Sequence, residues 1–151
     1  MLDSSTVEPV RYNNALIEES VDGAKNPDYR SHNIVEMKWI LQQVLGTSLV
    51  YFHEVTIPPG SIEGTHQHIG SEELYYVIEG EGTVYLGTDD DPSLASAPLV
   101  ESFVFGFGPR KLRQVPVRPG SVIFTKSGGI HGIRNPNLVP LRFVAFGYHT
   151  R

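Results

Sequence analysis

The sequence contains no cysteine, which excludes disulfide bonds, thiol catalysis and metal sites built on thiolates. It is also short of basic residues, with 12 Lys and Arg against 17 Asp and Glu, and the net charge of −5 provides no field that attracts phosphates. No segment approaches the roughly 20 consecutive apolar residues of a membrane span. Polar residues near the start interrupt any run resembling a signal peptide. We therefore expect a cytoplasmic protein that binds neither nucleic acid nor a membrane.

The chain of 151 residues has the length of one domain. Turn-forming residues such as Asn26, Pro27 and Asp28 recur in its first part. This pattern predicts an N-terminal arm over residues 1–32 and a single β domain over residues 33–151.

Short segments rich in β-branched and aromatic residues dominate the chain after residue 33, and Gly, Pro and Asp clusters separate them. No long segment has a helical period. The predicted strands are 34–41, 48–57, 74–79, 83–86, 99–105, 112–117, 122–125 and 141–146. Such a series predicts an antiparallel sandwich or barrel. Phe103, Phe105 and Phe107 alternate as one strand face would, so we expect them in the core.

Three histidines and one glutamate form the most informative pattern. His66 and His68 are one residue apart, so their side chains leave the same face of an extended strand. Glu73 begins the next predicted strand, and His131 must come from a neighbouring one. Imidazole and carboxylate donors suit a divalent first-row ion. The pattern therefore predicts a site for Fe, Mn, Ni or Zn, with His66, His68, Glu73 and His131 as ligands.

These residues belong to two segments that resemble the paired motifs of the cupin superfamily. The first motif is matched by Gly60, His66, His68, Glu73 and Gly80, and the second by Gly120, Gly128, His131 and Asn135. Lys126 stands where the family usually has Pro, and Ser121 replaces a frequent Asp. The resemblance covers about residues 50 to 147. It implies an all-β, double-stranded β-helix (jelly-roll) barrel, a metal centre on the four residues and a homodimer.

Two further residues are candidates for acid or base chemistry. Period-two counting places His53 on the inward face of its strand, where it either lines the site or is a hydrogen-bonded core histidine. Tyr75 shares the face of Glu73 and is either a donor in the cavity or ordinary core. Glu72 has the opposite parity and is excluded as a ligand. We expect the walls of the cavity to be formed by Tyr51, His53, Tyr75, Phe124 and Phe143.

An octahedral ion with four protein ligands keeps two positions for water, dioxygen or a chelating small molecule. We expect an enzyme that acts on a small organic compound. Two chemistries fit equally: an Fe(II) dioxygenase, or a Lewis-acid isomerase, lyase or cyclase in which His53 or Tyr75 moves a proton. The alternative is a cupin that binds or senses a small ligand without catalysis.

Overall fold

The computed structural model describes residues 3–13, 34–42, 48–87 and 91–150. Eleven strands lie in these ranges: β1 (Val10–Asn13), β2 (Ile34–Gln42), β3 (Leu49–Ile57), β4 (Ile62–Gln67), β5 (Ser71–Glu79), β6 (Gly82–Leu86), β7 (Leu99–Val104), β8 (Gly108–Val117), β9 (Val122–Thr125), β10 (Ile130–Arg134) and β11 (Leu141–His149). Two short 3-10 helices span Ser4–Thr6 and Pro92–Leu94. Within these ranges, no helix has the length and apolar character to cross a membrane.

The strands form two antiparallel sheets. One has the order β1-β2-β3-β11-β5-β9, and the other has the order β4-β10-β6-β8-β7. Strands that are neighbours in space are mostly distant in sequence, so the chain crosses repeatedly between the sheets. The prediction of an all-β jelly-roll barrel is confirmed.

The core lies between the two sheets and follows from alternation along each strand. In β11, Leu141, Phe143 and Ala145 are buried, while the residues between them are more exposed. Such a period of two turns one face of a strand toward the partner sheet. The resulting cluster includes Val55, Val77 and other inward residues, and it supports the walls of the site described below.

Two further predictions concern the N-terminal arm and the position of Phe103, Phe105 and Phe107 in the core. Residues 1–2 and 14–32 of the arm lie outside the described residues, and β1 pairs with β2 as the edge strand of the six-stranded sheet. The domain boundary stays a prediction. The expectation for the phenylalanines was wrong. Phe105 and Phe107 are each 43% exposed in the turn between β7 and β8, and Phe103 is only partly buried, because the buried residues of β7 are its neighbours Ser102 and Val104. Gly106 and Gly108 have positive φ there, which permits the tight turn that ends the strand.

Asn135, which matched the second motif, joins the end of β3 to the loop between β10 and β11. Its side chain is completely buried. The amide nitrogen donates to the carbonyl of Ile57 at 2.9 Å and to that of Val139 at 2.7 Å. The amide oxygen accepts from the backbone nitrogen of Asn137 at 3.0 Å.

We expect Asn135→Ala to lower the free energy of unfolding by about 3 kcal/mol, because it leaves buried carbonyl groups without a donor. Denaturant titration followed by circular dichroism measures the change. Asn137→Ala is the matched control, because its exposed amide makes a single bond to the carbonyl of Glu81. Its expected cost is about 1 kcal/mol or less. Equal losses in the two variants would contradict a special structural role for Asn135.

Candidate metal centre

Neighbouring strands bring the four predicted ligands to one point inside the barrel. His66 on β4 lies directly opposite His131 on β10. His68 follows the last residue of β4, and its backbone exchanges hydrogen bonds with Gly128 and Gly129. Glu73 reaches the same point from β5 in the other sheet. The site therefore joins the two sheets.

The donor atoms are close enough to share one ion. Nε2 of His68 lies 3.0 Å from Nε2 of His131. Oε2 of Glu73 lies 3.0 Å from Nε2 of His68 and 2.9 Å from Nε2 of His131. Including His66, one donor atom from each residue lies within 4.8 Å of the others. The structure thus brings together all four residues, while their role as ligands stays a prediction.

Hydrogen bonds at the far side of the rings orient the lone pairs. Nδ1 of His66 lies 2.9 Å from the carbonyl oxygen of Gly64, which can only accept, so Nδ1 carries the proton and Nε2 keeps its lone pair. Nδ1 of His131 lies 2.8 Å from the hydroxyl of Thr125. Burial lowers the pKa of both His66 and His131, so both rings stay neutral near pH 7.

Glu73 is the counter-charge of this cluster. Burial alone would raise its pKa, but the imidazole nitrogens of His131 and His68, together with the hydroxyl of Tyr51, outweigh burial and hold the pKa of Glu73 well below its usual range. The carboxylate is therefore ionised. Its Oε2 is buried and makes no hydrogen bond of regular geometry, although two imidazole nitrogens lie within 3.0 Å.

This arrangement fits a divalent metal. Donors about 2.1 Å from a common ion and at right angles to each other are about 3 Å apart, which matches the spacing of His68, Glu73 and His131. The imidazoles of His66 and His131 are neutral, and the carboxylate of Glu73 is ionised with its Oε2 free of a regular hydrogen bond. Histidine and glutamate bind metals in these protonation states. The four residues can therefore hold a metal ion, and the geometry does not select one element.

A cavity of about 190 Å³ opens beside the cluster. It is lined by Met37, Tyr51, His53, Val55, Glu63, His66, Glu73, Tyr75 and Ala145. Drug-sized ligands usually occupy about 300 to 1,000 Å³, so this cavity suits a small molecule. Three of the walls that we expected are present, but Phe124 is 44% exposed on the outer face and Phe143 packs behind Tyr75 in the core. Those two wall predictions were wrong.

Both candidate acid–base residues line this cavity. His53 is 8% exposed, and its Nε2 has no hydrogen-bond partner among the described residues. Burial lowers the pKa of His53 and favours the neutral ring. Tyr75 is buried, and its ring stacks on His131 with centroids 4.8 Å apart. Their predicted catalytic roles stay predictions.

Glu63 is a residue of the cavity that the motifs did not reveal. Its carboxylate accepts a hydrogen bond from the hydroxyl of Tyr75 at 3.0 Å. Burial, followed by the charge of Glu73, raises the pKa of Glu63 to about 7. Glu63 is therefore an acid–base group that changes its protonation state near neutral pH.

A β-bulge explains why counting residues missed Glu63. Glu63 and His66 are three residues apart, which would place them on opposite faces of a regular strand. The register between β4 and β10 shifts, so that Gly64 and Thr65 of β4 face the single residue Gly132 of β10. Gly132 lies at the shift, and a Cβ there would be 2.8 Å from the Cα of Thr65. The bulge brings Glu63 and His66 to the same cavity.

A barrel of two antiparallel sheets with a cluster of this kind is the arrangement that the motifs predicted. The family model of the cupin domain matches residues 53–92. An oxalate-binding protein from Thermotoga maritima is 30% identical over 112 residues, which cover 74% of this chain and 73% of that protein. The chain therefore belongs to the cupin family.

Solved structures support this assignment. The crystal structure of a protein from Thermotoga maritima, described as a predicted oxalate decarboxylase, has a TM-score of 0.70 and 25% identity over 99% of both chains. The cupin domain of Cnp3 from Schizosaccharomyces pombe has a TM-score of 0.55 with 9% identity, over 77% of this chain and 65% of that one. The second similarity concerns the fold alone.

Proposed function

We propose that this protein is a metal-dependent enzyme that binds a small organic molecule through two oxygen atoms and moves a proton on it without redox chemistry. The observation that carries the proposal is the position of Glu63 in the cavity beside the four candidate ligands, where burial and the charge of Glu73 raise its pKa to about 7 in the metal-free protein. A general acid or base works best when its pKa lies near the working pH.

Glu63, Tyr75 and His53 each have a separate role in the proposed proton transfer. A bound divalent ion would act as a Lewis acid on an oxygen of the substrate. Glu63 accepts and returns the proton. Burial raises the pKa of Tyr75 well above its ordinary value of 10, so Tyr75 stays protonated and orients Glu63 through its hydroxyl. His53, with its buried and unpartnered Nε2, binds a polar group of the substrate.

The charge of the cavity limits the substrate class. Two of the lining residues are glutamates, and among the described residues none of the lining residues is Lys or Arg. The carboxyl groups of Glu63 and Glu73 would therefore disfavour a dianion, whose main attraction would be the metal. Neutral or singly charged chelators such as hydroxyketones, diketones and catechols fit better.

A second candidate is a protein that binds a small carboxylate without transforming it. The relative that carries this possibility is the oxalate-binding protein of Thermotoga maritima. In such a binding protein, the carboxyl group of Glu63 would limit the affinity for a dicarboxylate dianion and would not transfer a proton. The homodimer and the cytoplasmic location also stay predictions.

One experiment distinguishes these functions. Protein purified without chelator is analysed for metal, then incubated in deuterated water with a panel of hydroxyketones, diketones, catechols and oxalate. We expect bound metal and deuterium exchange or isomerisation of one class of compound, measured by NMR, without oxygen consumption. The proton-transfer role predicts that Glu63→Gln keeps the metal and loses at least about 100-fold of the exchange rate.

Each other result has a definite meaning. Substrate-dependent oxygen uptake would replace the proposal with a dioxygenase. Binding of oxalate with no change in any compound would favour the binding protein. Absence of metal, together with failure of added Mn(II), Fe(II) or Zn(II) to bind, would overturn the metal-dependent function. Glu101→Gln, an exposed site on β7, serves as the matched control for the glutamate substitution.

A further inference from the structure

Gly147 lies between Tyr51 and Glu73 in the six-stranded sheet. On one side it pairs with Tyr51 of β3, and on the other side it pairs with Glu73 of β5. Neighbouring strands are about 4.8 Å apart, so about 10 Å separates β3 from β5. The hydroxyl of Tyr51 nevertheless donates a hydrogen bond to Oε1 of Glu73. The Tyr51 side chain therefore crosses β11 at Gly147.

The absence of a side chain at Gly147 makes this crossing possible. A Cβ at this position would lie 2.6 Å from Cζ of Tyr51 and 2.8 Å from its Cε1. Contacts this short do not occur between real atoms of this kind, so the ring would have to move. The same ring stacks on His53, with centroids 4.6 Å apart. The close approach to Gly147 and the stacking on His53 therefore both restrict the position of the Tyr51 ring.

We propose that Gly147 and Tyr51 position Glu73 for metal binding. The hydroxyl of Tyr51 fixes Oε1, which leaves Oε2 directed toward His68 and His131. In this proposal Gly147 acts by leaving space for the ring of Tyr51. Partners that orient a ligand in this way usually contribute 10- to 100-fold to metal affinity. The inference rests on the metal centre proposed above and not on any particular reaction.

Calorimetric titration of the metal-free protein with Mn(II) and with Zn(II) tests this inference. We expect Tyr51→Phe, which keeps the ring and removes the hydroxyl, to weaken binding about 10- to 100-fold. Gly147→Ala should weaken binding to a similar degree by displacing the ring. In the Tyr51→Ala background, where no ring can clash, Gly147→Ala should cause no further loss. The visible spectrum of the Co(II)-loaded protein should change in Tyr51→Phe because the carboxylate changes position.

The outer face of the same strands supplies a matched control. Tyr148 on β11 is hydrogen-bonded to Glu72 on β5, one position along from the proposed pair. Tyr148→Phe therefore removes a similar bond and should leave metal affinity unchanged. Circular dichroism and thermal unfolding of each metal-free variant identify those that fail to fold.

The outcomes separate this inference from the function. If the parent protein binds no metal, the metal centre and this inference are both overturned. If the parent binds and Tyr51→Phe binds equally well, the inference alone is overturned. It is overturned as well if Gly147→Ala costs the same affinity with and without the Tyr51 ring, since the glycine would then act by another route.

Discussion

Replacement of His131 by alanine is expected to abolish metal binding at micromolar metal. The loss of affinity for Mn(II) or Zn(II) should exceed the roughly 10- to 100-fold that an outer hydrogen-bond partner contributes, because a donor atom itself is removed. Nε2 of His131 lies within 3.0 Å of both His68 and Glu73, so the variant loses a donor atom at the centre of the cluster. Metal analysis after dialysis and calorimetric titration measure the loss.

His131 is completely enclosed, so the substitution also leaves a cavity. His66→Ala is the second variant, because His66 is only partly buried and its removal disturbs packing less. His149→Ala, at the end of β11, is the matched control and should bind metal as the parent does. Metal content equal to the parent in both His66→Ala and His131→Ala would show that the metal binds elsewhere or not at all.

The sequence carries enough information to predict this cluster. The spacing of His66 and His68 depends only on local chain geometry, and the motif places Glu73 and His131 by family resemblance. Alternation in β3 likewise predicts the inward face of His53. These are properties of single strands or of motifs, so they need no knowledge of the register between strands.

Features that depend on register were not predictable in the same way. Glu63 enters the cavity because β4 contains a bulge, and a bulge reverses the result of period-two counting. Gly64 and Gly132 are the signals in the sequence, since a glycine inside a strand often accompanies a bulge or a close backbone approach. The crossing of Tyr51 over Gly147 requires the relative positions of three strands, which no local pattern contains.

The outer face of the six-stranded sheet gives another example. Phe124 was expected in the cavity wall, but it pairs with Leu74 on the face opposite to Glu73 and Tyr75. Both faces of β9 carry apolar residues, and hydrophobicity alone does not identify the inner one. The pairing of β9 with β5 identifies the inner face of β9, because residues that are directly opposite each other share a face of the sheet.

Glu63→Gln is expected to change how stability depends on pH. In the folded protein, burial and then the charge of Glu73 raise the pKa of Glu63 from 4.5 to about 7. Below about pH 4.5 both the folded and the unfolded states hold the proton, and the favourable contribution is fully present. As pH rises toward 7, the unfolded state releases its proton first, so the free energy of unfolding falls. Glutamine has no proton to release, and the variant escapes this loss.

We therefore expect the metal-free variant to gain roughly 2 to 3 kcal/mol in stability relative to the parent between pH 5 and pH 8. Denaturant titrations at the two pH values measure the difference, with metal removed so that its charge does not affect Glu63. Glu101→Gln, which changes an exposed carboxylate, should keep the same difference from the parent at both pH values. A difference for Glu63→Gln that is independent of pH would mean that Glu63 does not titrate near neutrality. The proposed proton transfer would then lose the feature on which it rests, an acid–base group whose pKa lies near neutral pH.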